Sequence, residues 1–175
     1  MSTRRLEKLS AVCWLAVAMT VLAASADLAA ADKVKDAQKY TQDLKTSKDT
    51  TVRATALTEL GKIGQFQKSL VADAAPLMVK ALADKDAKVR AAAARAYGMI
   101  DPDPKDAVPP LLKLAREDKE ETVKLAAIQG LGSMGPGAKS ATKDLREIAQ
   151  SNKEKKNRLG RAAQNALRSI NVKKP

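Results

Sequence analysis

Apolar positions between residues 48 and 135 fall into three gapless copies of one pattern: KDTTVRATALTELGKIG (48–64), KDAKVRAAAARAYGMID (85–101) and KEETVKLAAIQGLGSMG (119–135). Within each copy they recur at i, i+4, i+8 and i+11, as Val52, Ala56, Leu60 and Ile63, then Val89, Ala93, Tyr97 and Ile100, then Val123, Ala127, Leu131 and Met134. That spacing gathers them on one face of a helix. Asp49 and Asp86 stand just before two of these runs, where a short acceptor side chain caps free amides and negative charge suits the helix dipole.

A second helix is predicted after each of these A helices. DAAPLMVKALAD (73–84), DAVPPLLKLARE (106–117) and SATKDLREIAQS (140–151) align without a gap. Asp73, Asp106 and Ser140 are N-cap types, and Pro76, Pro109 and Pro110 fall in the expected first turn, where a missing amide hydrogen costs little. The valines that mark the units are spaced by 37 and 34 residues. Each unit is thus a helical hairpin that buries its apolar face only against its neighbours.

The repeats run over 48–84, 85–118 and 119–152. A partial fourth copy at 153–170 carries Ala163, Leu167 and Ile170 on an A helix. Residues 32–47 read as a lone capping helix with Val34, Ala37, Tyr40 or Thr41, and Leu44 on one face, and residues 171–175 as a basic tail. The expected fold is all-α, an α-solenoid of about eight helices.

The Asp-x-x-Val-Arg stretches at Asp49–Arg53 and Asp86–Arg90, with Glu120–Lys124 as a variant, resemble the HEAT repeat family. So do Leu60-Gly-x-Ile-Gly64, Leu131–Gly135 and the Ala-Val-Pro at 107–109. The resemblance covers roughly 48–170. It implies a helical solenoid whose B helices line the concave face, and a ladder in which Asp49, Arg53, Asp86, Arg90 and Lys124 of successive units pair.

The N-terminus changes the picture of the whole chain. A basic start, an apolar run from Ser10 to Ala24 and small residues before Asp27 have the form of a secretory signal peptide over residues 1–26, cut after Ala26 or alternatively after Ala31. The run is shorter than the ~20 residues of a spanning helix, so no membrane span is expected after cleavage. The protein is expected to be exported, periplasmic or secreted. Beyond residue 26 there is no Cys, His or Trp. Disulfides, thiolate or imidazole metal sites and Cys-His or Ser-His-Asp catalysis are therefore excluded for that part. No cofactor and no catalytic residue is expected.

Residues 27–175 hold 29 Lys plus Arg against 19 Asp plus Glu, and residues 151–175 hold 8 against 1. The basicity is largely a C-terminal property. Lys153, Lys155, Lys156, Arg158 and Arg161 form a candidate polyanion site, for an anionic envelope polymer or lipid headgroups. Nucleic acid is not expected, given export and the scarcity of aromatic stacking platforms. Lys80, Lys113, Lys143 and Arg146 on the B helices form a candidate protein-binding surface, with the partner unidentified. The leading reading is a non-catalytic protein-interaction scaffold, and the alternative is a polyanion or envelope-surface binder. A third, an enzyme-associated subunit, follows from the similarity of such repeats to those of phycobilin lyases.

Two further stretches invite chemistry. GSMGPGAKSA (132–141) has two glycines at phosphate-loop spacing, but Ala138 separates Gly137 from Lys139, a helix rather than a strand precedes it, and it aligns with DPDPKDA (101–107). It reads as the turn between helices A and B. QFQKSLVAD (65–73) lengthens the first unit, either as an insertion that binds on one face or, the preferred reading, with Phe66 and Leu70 covering the end of the hairpin.

Overall fold

A computed structural model describes residues 31–152 and 157–171. These form eight α-helices: α1 (31–46), α2 (Thr50–Phe66), α3 (Ala75–Ala81), α4 (Ala87–Met99), α5 (Pro104–Glu117), α6 (Glu121–Ser133), α7 (Thr142–Ser151) and α8 (Arg158–Asn171). Lys68–Ala74 and Gly135–Ala141 are 3-10 segments, and there is no strand among the described residues. The chain divides into two compact units, Met1–Asp36 and Ala37–Pro175. Only 31–36, the opening of α1, is described in the first. The expected signal peptide, with Cys13 and Trp14, lies outside the described residues.

In the second unit A helices stack on A helices, and each B helix rests chiefly on the A helix that follows it. Helices α2, α4, α6 and α8 form the A row in that order, while α3 packs on α4, α5 on α6 and α7 on α8. Leu57, Leu60, Met78, Val89, Leu111, Val123, Ile128, Leu131 and Leu145 are fully buried between the rows. At about 1.5–3 kcal/mol for each large side chain, this seam carries the fold.

Alanine and glycine set how closely the A row packs. A Cβ on Gly98 would lie 2.5 Å from the Cα of Gly130, and one on Gly61 would lie 2.8 Å from the Cα of Ala96. On Gly132 it would lie 3.2 Å from the Cα of Ala166. One repeat position therefore presents glycine to glycine or alanine of the next helix at every step. Between the B helices α5 and α7 the link is different and runs through long side chains: Arg116 on α5 reaches both Asp144 and Glu147 on α7, each at 2.5 Å.

Several local expectations are corrected. Asp73, Asp106 and Ser140 do not cap the B helices. Helix α5 begins a turn earlier, at Pro104, because Asp103 accepts the amide hydrogen of Lys105 at 2.9 Å and leaves Asp106 inside the first turn. Pro109 and Pro110 then sit inside the helix, where the carbonyls they leave unpartnered belong to the exposed Lys105 and Asp106. Helices α3 and α7 grow directly out of 3-10 segments, so their cap positions are Ala74 and Ala141, without side-chain acceptors.

Val52 is 39% exposed, although Val89 and Val123 at the same repeat position are fully buried. In α8 it is Ala166, with Ala163 and Ile170, that is buried, while Leu167 is half-buried. In the extended turn of the first unit Val71 is buried, Leu70 is half-buried and Phe66 stands 85% exposed. The reason is that α2 runs past its second glycine, Gly64, which is buried where a Cβ would lie 2.5 Å from both Ile100 Cγ2 and Val71 Cγ2. The extra helical turn carries Phe66 beyond the core.

Candidate functional site

The ladder residues separate into two jobs. Asp49 is an N-cap whose Oδ1 accepts from the amides of Thr51 and Val52 at 2.6 and 3.1 Å. Asp86 does the same for Lys88 at 2.7 Å. Neither pairs with the arginines. Arg53 instead pairs with Asp84, and Arg90 holds Asp118 through Nε at 2.7 Å and Nη2 at 2.9 Å. The acid of each rung thus lies two residues before the next cap, because a carboxylate engaged in capping points along its own helix.

Asp118 is held below the ordinary carboxylate value by the Arg90 hydrogen bonds, against burial, with help from the Glu120 amide. For Asp84 burial pushes upward, yet the Asp86 amide and the Arg53 guanidinium together keep it low. Arg90 is satisfied further by the carbonyls of Asp84 and Lys85 at 3.0 and 3.1 Å, whereas Arg53 Nε is buried without a partner. The third unit has Lys124 and Asn152 at the corresponding places, lining one cleft.

The four candidate cations of the B helices are all exposed but do not converge. Lys80 lines a cleft with Arg53 and Asp84, and Lys113 lines another with Arg90, Glu117 and Asp118. Lys143 and Arg146 belong to neither. Each B-side cleft thus already contains acid beside its base.

The opposite, A-helix side is different. A cleft of about 500 Å³ between α2 and α4 is lined by Thr58, Glu59, Lys88, Ala91, Ala92, Arg95 and Thr122, among others. A cleft of about 550 Å³ between α6 and α8 is lined by Leu125, Gln129, Ser133, Arg158, Arg161, Ala162 and Asn165 with other small residues. Arg95 Nε donates to Gln129 Oε1 at 3.0 Å. Thr58, Arg95, Gln129 and Asn165 share one repeat position, so they form a polar line across four successive helices.

A family model described as HEAT repeats matches residues 37–132 and again 74–168, together well over half of the chain. The chain belongs to the HEAT-repeat family. No curated protein matches it. HEAT repeats generally act as protein-interaction scaffolds, which directs attention to the surfaces that the stacked HEAT units present in common.

The C-terminal cluster is divided by this HEAT architecture. Arg158 and Arg161 open α8 and line the cleft it forms with α6, while Lys153, Lys155 and Lys156 lie outside the described residues. The glycine-rich stretch is a turn of the third HEAT unit. Gly135 takes φ +55°, ending α6 in the left-handed region, and Ala138 and Ala141 are fully buried in the 3-10 segment that follows. Ser140 is exposed within that segment and caps nothing.

Lys88, Arg95, Gln129 and Asn165 were not singled out from the sequence. The signal that finds them is the alignment itself: where the repeat keeps its core positions apolar, position 58/95/129/165 reads Thr, Arg, Gln, Asn and position 51/88/122/158 reads Thr, Lys, Thr, Arg, both polar in every HEAT unit. Tyr97 offers no alternative chemistry. It is buried, and burial, with Asp106 and Asp103 nearby, pushes its phenol above the ordinary value.

Proposed function

We propose that the protein is an exported, non-catalytic HEAT-repeat scaffold that holds a protein partner on the face formed by α2, α4, α6 and α8. The observation that carries this reading is the unequal packing of the two rows. Glycine and alanine draw the A helices together almost backbone to backbone, whereas among the B helices α5 and α7 are spanned by the long side chains of Arg116, Asp144 and Glu147. A stack with one short row bends toward it, so the A side, and not the B side that the resemblance implied, is the inner face, and the two clefts open into it. Solenoids bind along such concave surfaces.

Export is supported by the basic, apolar and small-residue order of residues 1–26. The absence of Cys and His after residue 26 supports a non-catalytic role. Affinity capture from an envelope fraction tests the surface. Arg95→Glu on the A face should release a specific partner that Lys113→Glu on the B face retains. Determining the N-terminus of the exported protein tests the leader, and an intact Met1 would count against it.

A second reading, binding of an anionic envelope polymer or lipid headgroups, is favoured by Arg158 and Arg161 sharing one cleft. It is tested by charge substitution rather than by deleting 153–175, because α8 buries Ala163, Ala166 and Ile170 and its loss would open the core.

A further inference from the structure

We infer that the partner presents an acidic, extended segment that crosses α4, α6 and α8 on the A face, with carboxylates meeting Lys88 and Arg95 at one end and Arg158 and Arg161 at the other. The inference rests on the scaffold reading above and adds the chemistry of what is held. All four cations are exposed, and among the described residues none forms an ion pair. Among the described residues the α6–α8 cleft contains no acid. The α2–α4 cleft contains one, Glu59, which is already engaged by Lys62 at 2.7 Å. Glu121 is a further acid, at the exposed first turn of α6.

The B-side clefts offer the opposite electrostatics. Arg53, Arg90 and Arg116 are each matched to an acid there, so an incoming anion would find base already neutralised. Between the two cationic ends of the A face the floor is neutral, made by Ala91, Ala92, Leu125 and Ala162, with Asn165 and the side-chain NH2 of Gln129, whose Oε1 accepts from Arg95, turned to meet peptide groups. A main chain can therefore approach closely along the polar line. Two helix-to-helix steps of about 8–10 Å separate α4 from α8. An extended chain rises about 3.3 Å per residue, so the acidic groups should stand about five or six residues apart.

The test is fluorescence anisotropy with the full chain and a fluorescein-labelled 12-residue peptide. The peptide carries two Glu pairs separated by five uncharged residues, and a Gln-for-Glu peptide is the control. The Glu peptide should bind, weaken as salt rises, and lose about tenfold in affinity to the Arg95→Gln, Arg161→Gln variant. The Lys80→Gln, Lys113→Gln variant should bind it as the unaltered chain does. All four substitutions are at exposed positions, and circular dichroism verifies that each variant keeps its helix content.

Equal binding of the Gln peptide, equal loss in the B-face variant, or tighter binding of heparin or phosphatidylglycerol vesicles than of the Glu peptide would overturn the inference. Loss of the captured partner on Arg95→Glu, together with no affinity for the Glu peptide, would leave the scaffold reading standing and remove this one. Peptide binding as expected, with partner capture unaffected by Arg95→Glu, would leave an acidic-peptide site on this face but overturn both the scaffold reading and the assignment of that site to the partner.

Discussion

Gly98 on α4 and Gly130 on α6 meet so closely that a Cβ on the first would lie 2.5 Å from the Cα of the second. No side chain lies between them that could turn aside. Gly98→Ala should therefore push the two helices apart and cost about 2–3 kcal/mol, seen as a lowered thermal midpoint. Gly137→Ala is the control. Its Cβ would meet Pro104 Cγ at 3.4 Å, an ordinary contact, and its effect should stay within about 0.5 kcal/mol.

Asp101 ends the A helix of the second unit at φ +49°, where the third unit places Gly135 at +55°. A Cβ in the left-handed region costs energy that glycine avoids, although glycine also loosens the unfolded chain. Asp101→Gly should raise stability by a net of about 0.5 kcal/mol in denaturant unfolding. The hydrogen bond that Lys68 Nζ donates to the Asp101 carbonyl at 2.6 Å uses the backbone and survives the change.

The two ion-pair rungs differ in how completely they are satisfied. Arg90 and Asp118 are 10% and 5% exposed and share two hydrogen bonds, so Asp118→Asn should cost about 3 kcal/mol. Asp84→Asn should cost less, since Arg53 already leaves Nε unpartnered. Both carboxylates have folded values below their unfolded ones. Their contribution is therefore complete above about pH 4 and is lost as pH falls through the lowered folded values. Acid unfolding of Asp118→Asn should accordingly show a shallower dependence on pH below about 4 than that of the unaltered chain.

Asn152 stands where Asp84 and Asp118 stand in the earlier units, beside Lys124. Asn152→Asp should create the missing rung and stabilise by about 0.5 kcal/mol, with the gain disappearing in a Lys124→Gln background. The same change in both backgrounds would mean that Lys124 does not reach this position.

The period, the helix count and the apolar seam were legible because a core position must be apolar in every unit, and three aligned copies make that repetition visible. The partner of Arg53 was not, because Asp49 and Asp84 are both short acids beside a helix start. Only the fold decides which carboxylate caps and which reaches the neighbouring unit. The A face was missed for a related reason. Positions such as Arg95 and Gln129 repeat in place but not in residue type, and the glycines that bring their helices together look in sequence like helix ends rather than contacts. The B-helix lysines drew attention as charges, but their position beside Asp84 and Asp118 depends on how units stack.

The central claim, a scaffold that binds through its A-helix face, is tested most directly by site-specific photo-crosslinking in the envelope fraction. Photoreactive residues would replace Lys88 and Gln129 on the A face, and Lys113 and Arg146 on the B helices. All four positions are exposed. The account predicts one discrete crosslinked protein from Lys88 and Gln129 and none from Lys113 and Arg146; crosslinks confined to Lys113 and Arg146 would contradict it.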